Sequence, residues 1–406
     1  TVFVAHNVRF DWTFLLVELE RARSLLLQGP RVCTLRLARR LVPALESRSL
    51  DTLARFFGIE IERRHRAGPD ACGRHGADSA APGRDRERAR RGDTGGLDAI
   101  ADFVLRIADS TRGLSIRNRM THTTLTVGRL TCHALEAGRQ HLDGGAMFGV
   151  VPKPLWERRI APDDRNRIPL ALRCLLVEHD AGLVLIDTGL GNKESDKFRD
   201  IYGVENEGRD GRTRLEDALA ELGHRPEEVR WVINTHLHFD HAGGNTWCTG
   251  EGRILPTFPR ATYVVQRGEL EFARHTNERT QASYPAHNFE SIRFQTVEGE
   301  VDVLPGIRCV PTPGHVPYHQ SVVVESGGER ACFVADLVPT TAHLPLPWIM
   351  GYDLEPLVTL ESKRRLYGRA EAEGWLLVFE HDPEVVAGRL GRDGKGFGLV
   401  EPRGRG

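Results

Sequence analysis

Residues 235–244 read Thr235-His236-Leu237-His238-Phe239-Asp240-His241-Ala242-Gly243-Gly244, directly after the apolar run Val232-Ile233. Four metal-capable side chains fall within residues 236–241. With 17 His in 406 residues, such a cluster arises by chance in about one chain in a thousand of this length. On an extended segment His236 and His238 face one way, while Asp240 and His241 turn toward a second position, which suits a two-metal site. Neutral imidazoles and a carboxylate fit zinc, with iron, manganese or cobalt as alternatives. Exposed histidines on a loop are the bland alternative, and the donors found downstream weigh against it.

Three further donors follow in order. His315 sits in the turn Pro311-Thr312-Pro313-Gly314-His315, where Pro and Gly shape the backbone and present one imidazole. Asp336 is expected to end the strand Ala331–Ala335, and His381 follows the apolar run Leu376-Leu377-Val378-Phe379. A lone strand-end His or Asp is more often a cap or turn residue. Three of them, in this order after such a cluster, read as ligands.

Composition bounds the rest. A chain of 406 residues holds two or three domains, and a net charge of −1 offers no global field for nucleic acid or membrane. The seven cysteines are dispersed with no C-x-x-C pair, as expected of reduced thiols in a cytoplasmic protein. No apolar stretch nears the roughly 20 residues of a membrane helix.

Three zones differ in character. Residues 1–71 are globular, with strands at Val2-Phe3-Val4 and Val32-Cys33-Thr34 and helical periodicity from Asp11 to about Leu27. Residues 72–96 contain no Leu, Ile, Val or Phe and include Arg84-Asp85-Arg86-Glu87-Arg88. They are expected to form a disordered, low-complexity linker that runs to about residue 120, with a short helix near 97–109. Their composition is what a GC-rich gene gives when read out of frame, and Met120 reads as the start of an independent hydrolase. On that reading the chain joins two neighbouring genes. Residues 121–406 form an α/β domain. Its strands are expected at 172–178, 183–187, 231–234, 261–266, 320–325 and 331–335, and its helices near 215–222, 267–275 and 360–373.

The succession Asp187-Thr188-Gly189, T-H-x-H-x-D-H-x-G-G, Pro313-Gly314-His315, Asp336 and His381 resembles the metallo-β-lactamase fold superfamily over about 121–390. The resemblance implies an αββα sandwich with the site at one edge of its two sheets. One metal would be held by His236, His238 and His315, and a second by Asp240, His241 and His381, with Asp336 bridging. Asp187 and His319 would stand behind the ligands. A water bridging two zinc ions becomes a nucleophile near neutral pH, with Asp240 as proton shuttle. The substrate is then a small ester or lactone. Partners would be that small molecule and a second copy in a homodimer, with neither nucleic acid nor membrane.

Asp143–Trp156 and Pro313–Ser321 are similar to the quorum-quenching lactonase branch, relatives of N-acyl-homoserine lactonases. Met147, Phe148 and Trp156 suit an apolar wall for an acyl chain, with plain core packing as the equal alternative. Those lactonases place a Tyr shortly after the bridging Asp, whereas here Asp336 is followed by Leu337-Val338-Pro339-Thr340. Tyr318, His343 or Tyr352 would have to substitute. Glyoxalase II-type thioesterases share the cluster but carry a helical C-terminal domain, unlike residues 382–406.

Phe3–Asp11, Ser49–Ala54 and His65–Asp70 resemble the later motifs of DnaQ-like, DEDDh-type 3′–5′ exonucleases, an incomplete ribonuclease H-like α/β fragment. The resemblance implies Asp11 and Asp70 as metal carboxylates and His65 as general base. The first motif, Asp-x-Glu, would precede Thr1, so the fragment is expected not to cut DNA. A DNA-associated protein with an ancillary metal site is the second function class.

Overall fold

In the computed structural model the described residues are 121–393 and 396–404, with two short strands nearer the N-terminus. Those two strands, β1 (Phe3–Ala5) and β2 (Arg31–Cys33), pair in parallel within a unit that spans Thr1–Asn118. Each lies within a residue of its expected position. Asp11, His65, Asp70, the helix after Asp11, the 72–120 linker and the short helix near 97–109 all lie outside the described residues.

The second unit, Arg119–Gly406, is built on two seven-stranded sheets. The first contains β3 (His122–Val127), β4 (Leu130–Asp143), β5 (Arg167–His179), β6 (Gly182–Ile186), β7 (Val229–Ile233), β10 (Thr262–Gln266) and β11 (Phe294–Val297), in spatial order 11-10-7-6-5-4-3. The small hairpin of β8 (Thr246–Cys248) and β9 (Ile254–Pro256) lies apart from it. The second sheet runs in sequence order through β12 (Val301–Leu304), β13 (Ile307–Pro311), β14 (Gln320–Ser326), β15 (Glu329–Phe333), β16 (Leu376–Val378), β17 (Val385–Asp393) and β18 (Gly396–Gly404).

Side chains alternate across each sheet, and that period places the core. On β5, Leu175 and Val177 face inward and meet Ile307, Val322, Phe333 and Val378 of the second sheet. Cys174 and Leu176 face outward, onto Leu215, Ala218 and Leu219 of α4 (Arg214–Glu221). The outer face of the second sheet packs on Leu366, Tyr367 and Ala370 of α7 (Pro356–Glu373). Helix, sheet, sheet, helix is the αββα order. Each apolar side chain buried between the layers contributes about 1.5–3 kcal/mol.

Five shorter helices complete the unit: α1 (Gly144–Phe148), α2 (Lys153–Trp156), α3 (Asp196–Tyr202), α5 (Phe239–Ala242) and α6 (Arg267–Arg274). Asp336 departs from its expected place. β15 stops at Phe333, and Asp336 sits in a 3-10 turn, Ala335–Leu337, opened by Ala335 at φ +45°. The strand ends early because Val334 already turns to helical angles, φ −83° and ψ −18°.

Candidate metal centre

The cluster loop leaves the C-terminal end of β7 and coils into the single turn of α5. Two glycines let it close on its neighbours. A Cβ on Gly244 would meet the Thr188 carbonyl oxygen at 2.2 Å. Near His315, Gly314 holds φ +134°, and a Cβ there would lie 2.3 Å from the Thr359 nitrogen. Only glycine allows either approach.

All seven expected ligands come together. Donor atoms of His236, His238, His315 and Asp336 lie within 4.8 Å of one another, as do those of Asp240, His241 and His381. Asp336 stands between the groups: its carboxylate is 3.0 Å from His315 Nε2, 3.1 Å from His381 Nε2 and 3.4 Å from His241 Nε2. His238 presents Nδ1, 3.1 Å from His315 Nε2, and the other imidazoles present Nε2. His236 Nε2 and Asp336 Oδ1 are buried and make no hydrogen bond. Buried polar atoms left unpaired are costly, and divalent cations in the two groups would satisfy them. The donor set therefore fits a pair of such ions.

Electrostatics divide the imidazoles. Burial and neighbouring imidazoles push His236 and His238 well below the ordinary histidine value. Burial also acts against charge at His315 and His381, but Asp336, with Asp353 for the first and Glu380 for the second, holds them up at about 10 and about 9. Asp336 is itself pulled well below the carboxylate range: burial opposes this, and His315, His241 and His381 outweigh it.

Behind the donors stands a second layer. Asp187, at φ +55°, accepts from Thr235 N (2.7 Å) and Thr235 Oγ1 (2.6 Å), and lies 3.1 Å from His241 Nδ1. This strained residue staples the loop to β6, a use that can offset its backbone cost. His319, buried, bonds Thr312 through Nδ1 and sets its ring 5.2 Å from that of His236, outside both donor groups.

Other members of this layer were not legible. Asp353 Oδ1 lies 2.9 Å from His315 Nδ1, and Gln140 donates to Asp240 Oδ2. Glu269 accepts from Leu237 N (2.9 Å) and Tyr284 (3.0 Å). Arg173, fully buried on β5, donates to Phe379 O, Asp382 O and Glu136, and so fixes the loop of His381. Of these only the Phe379-Glu380-His381-Asp382 stretch carries a signal, a run of charges after a buried strand.

The expected substrate pocket is corrected. Met147, Phe148 and Trp156 are fully buried in one cluster with Ile168 and Leu170, so they are core. His343 belongs to that core. It stacks on Phe148 at 4.5 Å, and its nitrogens are taken by Met147 O and Thr340 Oγ1, each at 2.8 Å. Tyr318 is half exposed and lies over Gly268 of α6. Tyr352 is partly exposed, and burial, Tyr202, Asp143 and Asp240 raise its phenol. Tyr202, on α3, is raised by burial and by Asp240, and its ring lies 5.2 Å from that of Phe239.

An αββα sandwich that gathers seven such donors at its strand ends defines a metal-dependent hydrolase. Residues 169–381 match the family model of the metallo-beta-lactamase superfamily, and the chain belongs to that superfamily. Residues 1–72 match an exonuclease family model. An N-acyl homoserine lactonase from Bacillus sp. is 30% identical over 229 residues, 54% of this chain and 85% of the relative. The N-acyl homoserine lactonase AttM of Agrobacterium fabrum is 27% identical over 52% of this chain and 82% of its own length. A probable metal-dependent hydrolase from Staphylococcus aureus superposes with TM-score 0.62 at 31% identity, covering 68% of this chain and 99% of that one. The dizinc quorum-quenching lactonase AidC shares the fold, with TM-score 0.58 at 19% identity over 70% of this chain and 98% of its own. Among the described residues no helix is long and apolar enough to cross a membrane.

Proposed function

We propose that this chain hydrolyses the ring ester of an N-acyl homoserine lactone or a closely similar small lactone. The observation that carries the reading is the convergence of His236, His238 and His315 with Asp240, His241 and His381 around Asp336. Relatives named as N-acyl homoserine lactonases, matched over most of their length, support it. A pair of divalent cations, zinc on this reading, supplies Lewis acidity toward the ester carbonyl and makes water nucleophilic near neutral pH.

The chain's own residues do the rest. Asp240 Oδ2, held by the Gln140 amide, takes the proton of the attacking water and returns it to the ring oxygen as the C–O bond breaks. The Tyr202 and Tyr352 phenols, both raised by burial and by the charge of Asp240, are the candidates to donate to the acyl amide or the lactone carbonyl. Phe198, Tyr202 and Phe239, with ring centroids 4.4–5.2 Å apart, form an aromatic surface for the acyl chain. They take the part expected of Met147, Phe148 and Trp156.

The test is acid release, followed by pH-stat, from zinc-loaded protein given an N-acyl homoserine lactone, an aryl ester, a thioester and a cephalosporin. Turnover of the lactone well above the others is expected. A protein that cleaves the thioester or aryl ester and leaves the lactone intact would overturn the lactonase reading.

A further inference from the structure

His236, His241, His315 and His381 each turn Nδ1 away from the centre, and what that nitrogen meets differs. His381 Nδ1 donates to the Ala171 carbonyl at 2.8 Å, and His236 Nδ1 meets Thr235 Oγ1 at 3.2 Å. His315 Nδ1 meets one carboxylate, Asp353. His241 Nδ1 meets two: Asp187 Oδ2 at 3.1 Å and Glu380 Oε2 at 3.0 Å. Asp187 is already engaged by Thr235, whereas both oxygens of Glu380 are buried and form no hydrogen bond. The side chain of Glu380 is wholly shielded from water. A carboxylate held there without a cation nearby is costly, and the ring of His241 is the route by which a cation's charge reaches it.

We infer that Glu380 is a positioning residue for His241, a second carboxylate that strengthens this imidazole as a donor and so sets the metal affinity of the Asp240–His241–His381 group. The inference rests on the two-metal reading of the site and deepens it by making the two groups unequal. Glu380 adds charge behind the second group only, so its removal should spare His236, His238 and His315. An outer-layer carboxylate of this kind typically changes metal affinity by about 10–100-fold.

The test titrates the metal-free full chain with Co2+, following visible absorbance against a competing chelator. Wild-type protein is expected to bind two equivalents. Glu380→Gln, which keeps the shape and removes the charge, should bind the first as before and the second about 10–100-fold more weakly. Glu380→Asp, which keeps the charge, should recover most of that loss. Wild-type affinity for both equivalents in Glu380→Gln would overturn the assignment, as would equal losses in the Gln and Asp variants, which would reduce Glu380 to packing. If Glu380→Gln does not fold, a second-equivalent affinity in Glu380→Asp more than 100-fold below wild type also overturns it, and near wild-type affinity supports it. No substrate enters the measurement. A chain that binds two equivalents and leaves lactones intact would therefore refute the lactonase reading while leaving this one standing.

Discussion

Asp353 and His343 show how much a single side chain is asked to do around this centre. Asp353 is almost wholly buried and bonds His315 Nδ1, fixing the ring so that Nε2 faces Asp336. Asp353→Asn should weaken metal binding at the His236–His238–His315 group by about 10–100-fold, read by chelator competition, and leave the other group near wild type. His343 is locked neutral: burial and Lys363 push it down to about 4, although its bond to Met147 O works the other way. An unfolded His titrates near 6.5, so this group's stabilisation is present above that pH and is lost as pH falls through about 4. The shift corresponds to about 3 kcal/mol at most. Other buried imidazoles titrate too, so the informative quantity is a difference. Between pH 7 and pH 4, wild-type protein should lose more unfolding free energy than His343→Gln, and parallel pH slopes in urea melts would refute this. The seven ligands were legible because their residue types, order and turn contexts are restrictive. Asp353 was not, since a carboxylate 38 residues from its imidazole obeys no spacing rule.

Elements decide where those ligands point. Arg173 sits at the middle of β5, yet its guanidinium reaches across to the loop after β16. It is a buried tie between the first sheet and the segment that carries His381, beside the bonds of His381 to Ala171, with Glu136 as counter-ion at 2.7 Å. Arg173→Met would break the ion pair with Glu136 and free two carbonyls, a loss of about 3–5 kcal/mol in urea unfolding. The same variant should hold less metal at the Asp240–His241–His381 group, measured as zinc per chain after dialysis. Unchanged stability with full zinc content would show that the loop holds itself. The sequence located β5, β6, β7, β10, β14 and β15, because strands buried on both faces read as short, near-continuous apolar runs. The β17–β18 hairpin was not read, nor was the length of β4 beyond Cys132. Gly138, at φ +146°, bulges β4 and breaks its alternation, and β18 is too exposed to show one.

At the scale of the molecule, residues 119–406 hold both sheets, both outer helices and all seven candidate ligands. Among the described residues, the core between the sheets draws on residues 125–387. The change from the Arg- and Gly-rich composition of 72–96 to strand patterning is the sequence's signal for a boundary near residue 120. The domain division itself is a prediction. A 119–406 polypeptide should fold with the full chain's melting temperature and hydrolyse the same lactone at the same kcat/KM. Proton linkage supplies a second measure. With His315 held up at about 10 and His381 at about 9, the metal-free site carries protons at pH 8 that metal must displace, so affinity falls as pH falls. Adding Zn2+ to either polypeptide in weak buffer at pH 8 should release protons in equal number. It should also raise the melting temperature equally, since binding to the folded state alone adds about 4 kcal/mol at a thousand times Kd. A shorter polypeptide that melts lower, or releases fewer protons, would show that residues before 119 take part in forming the site.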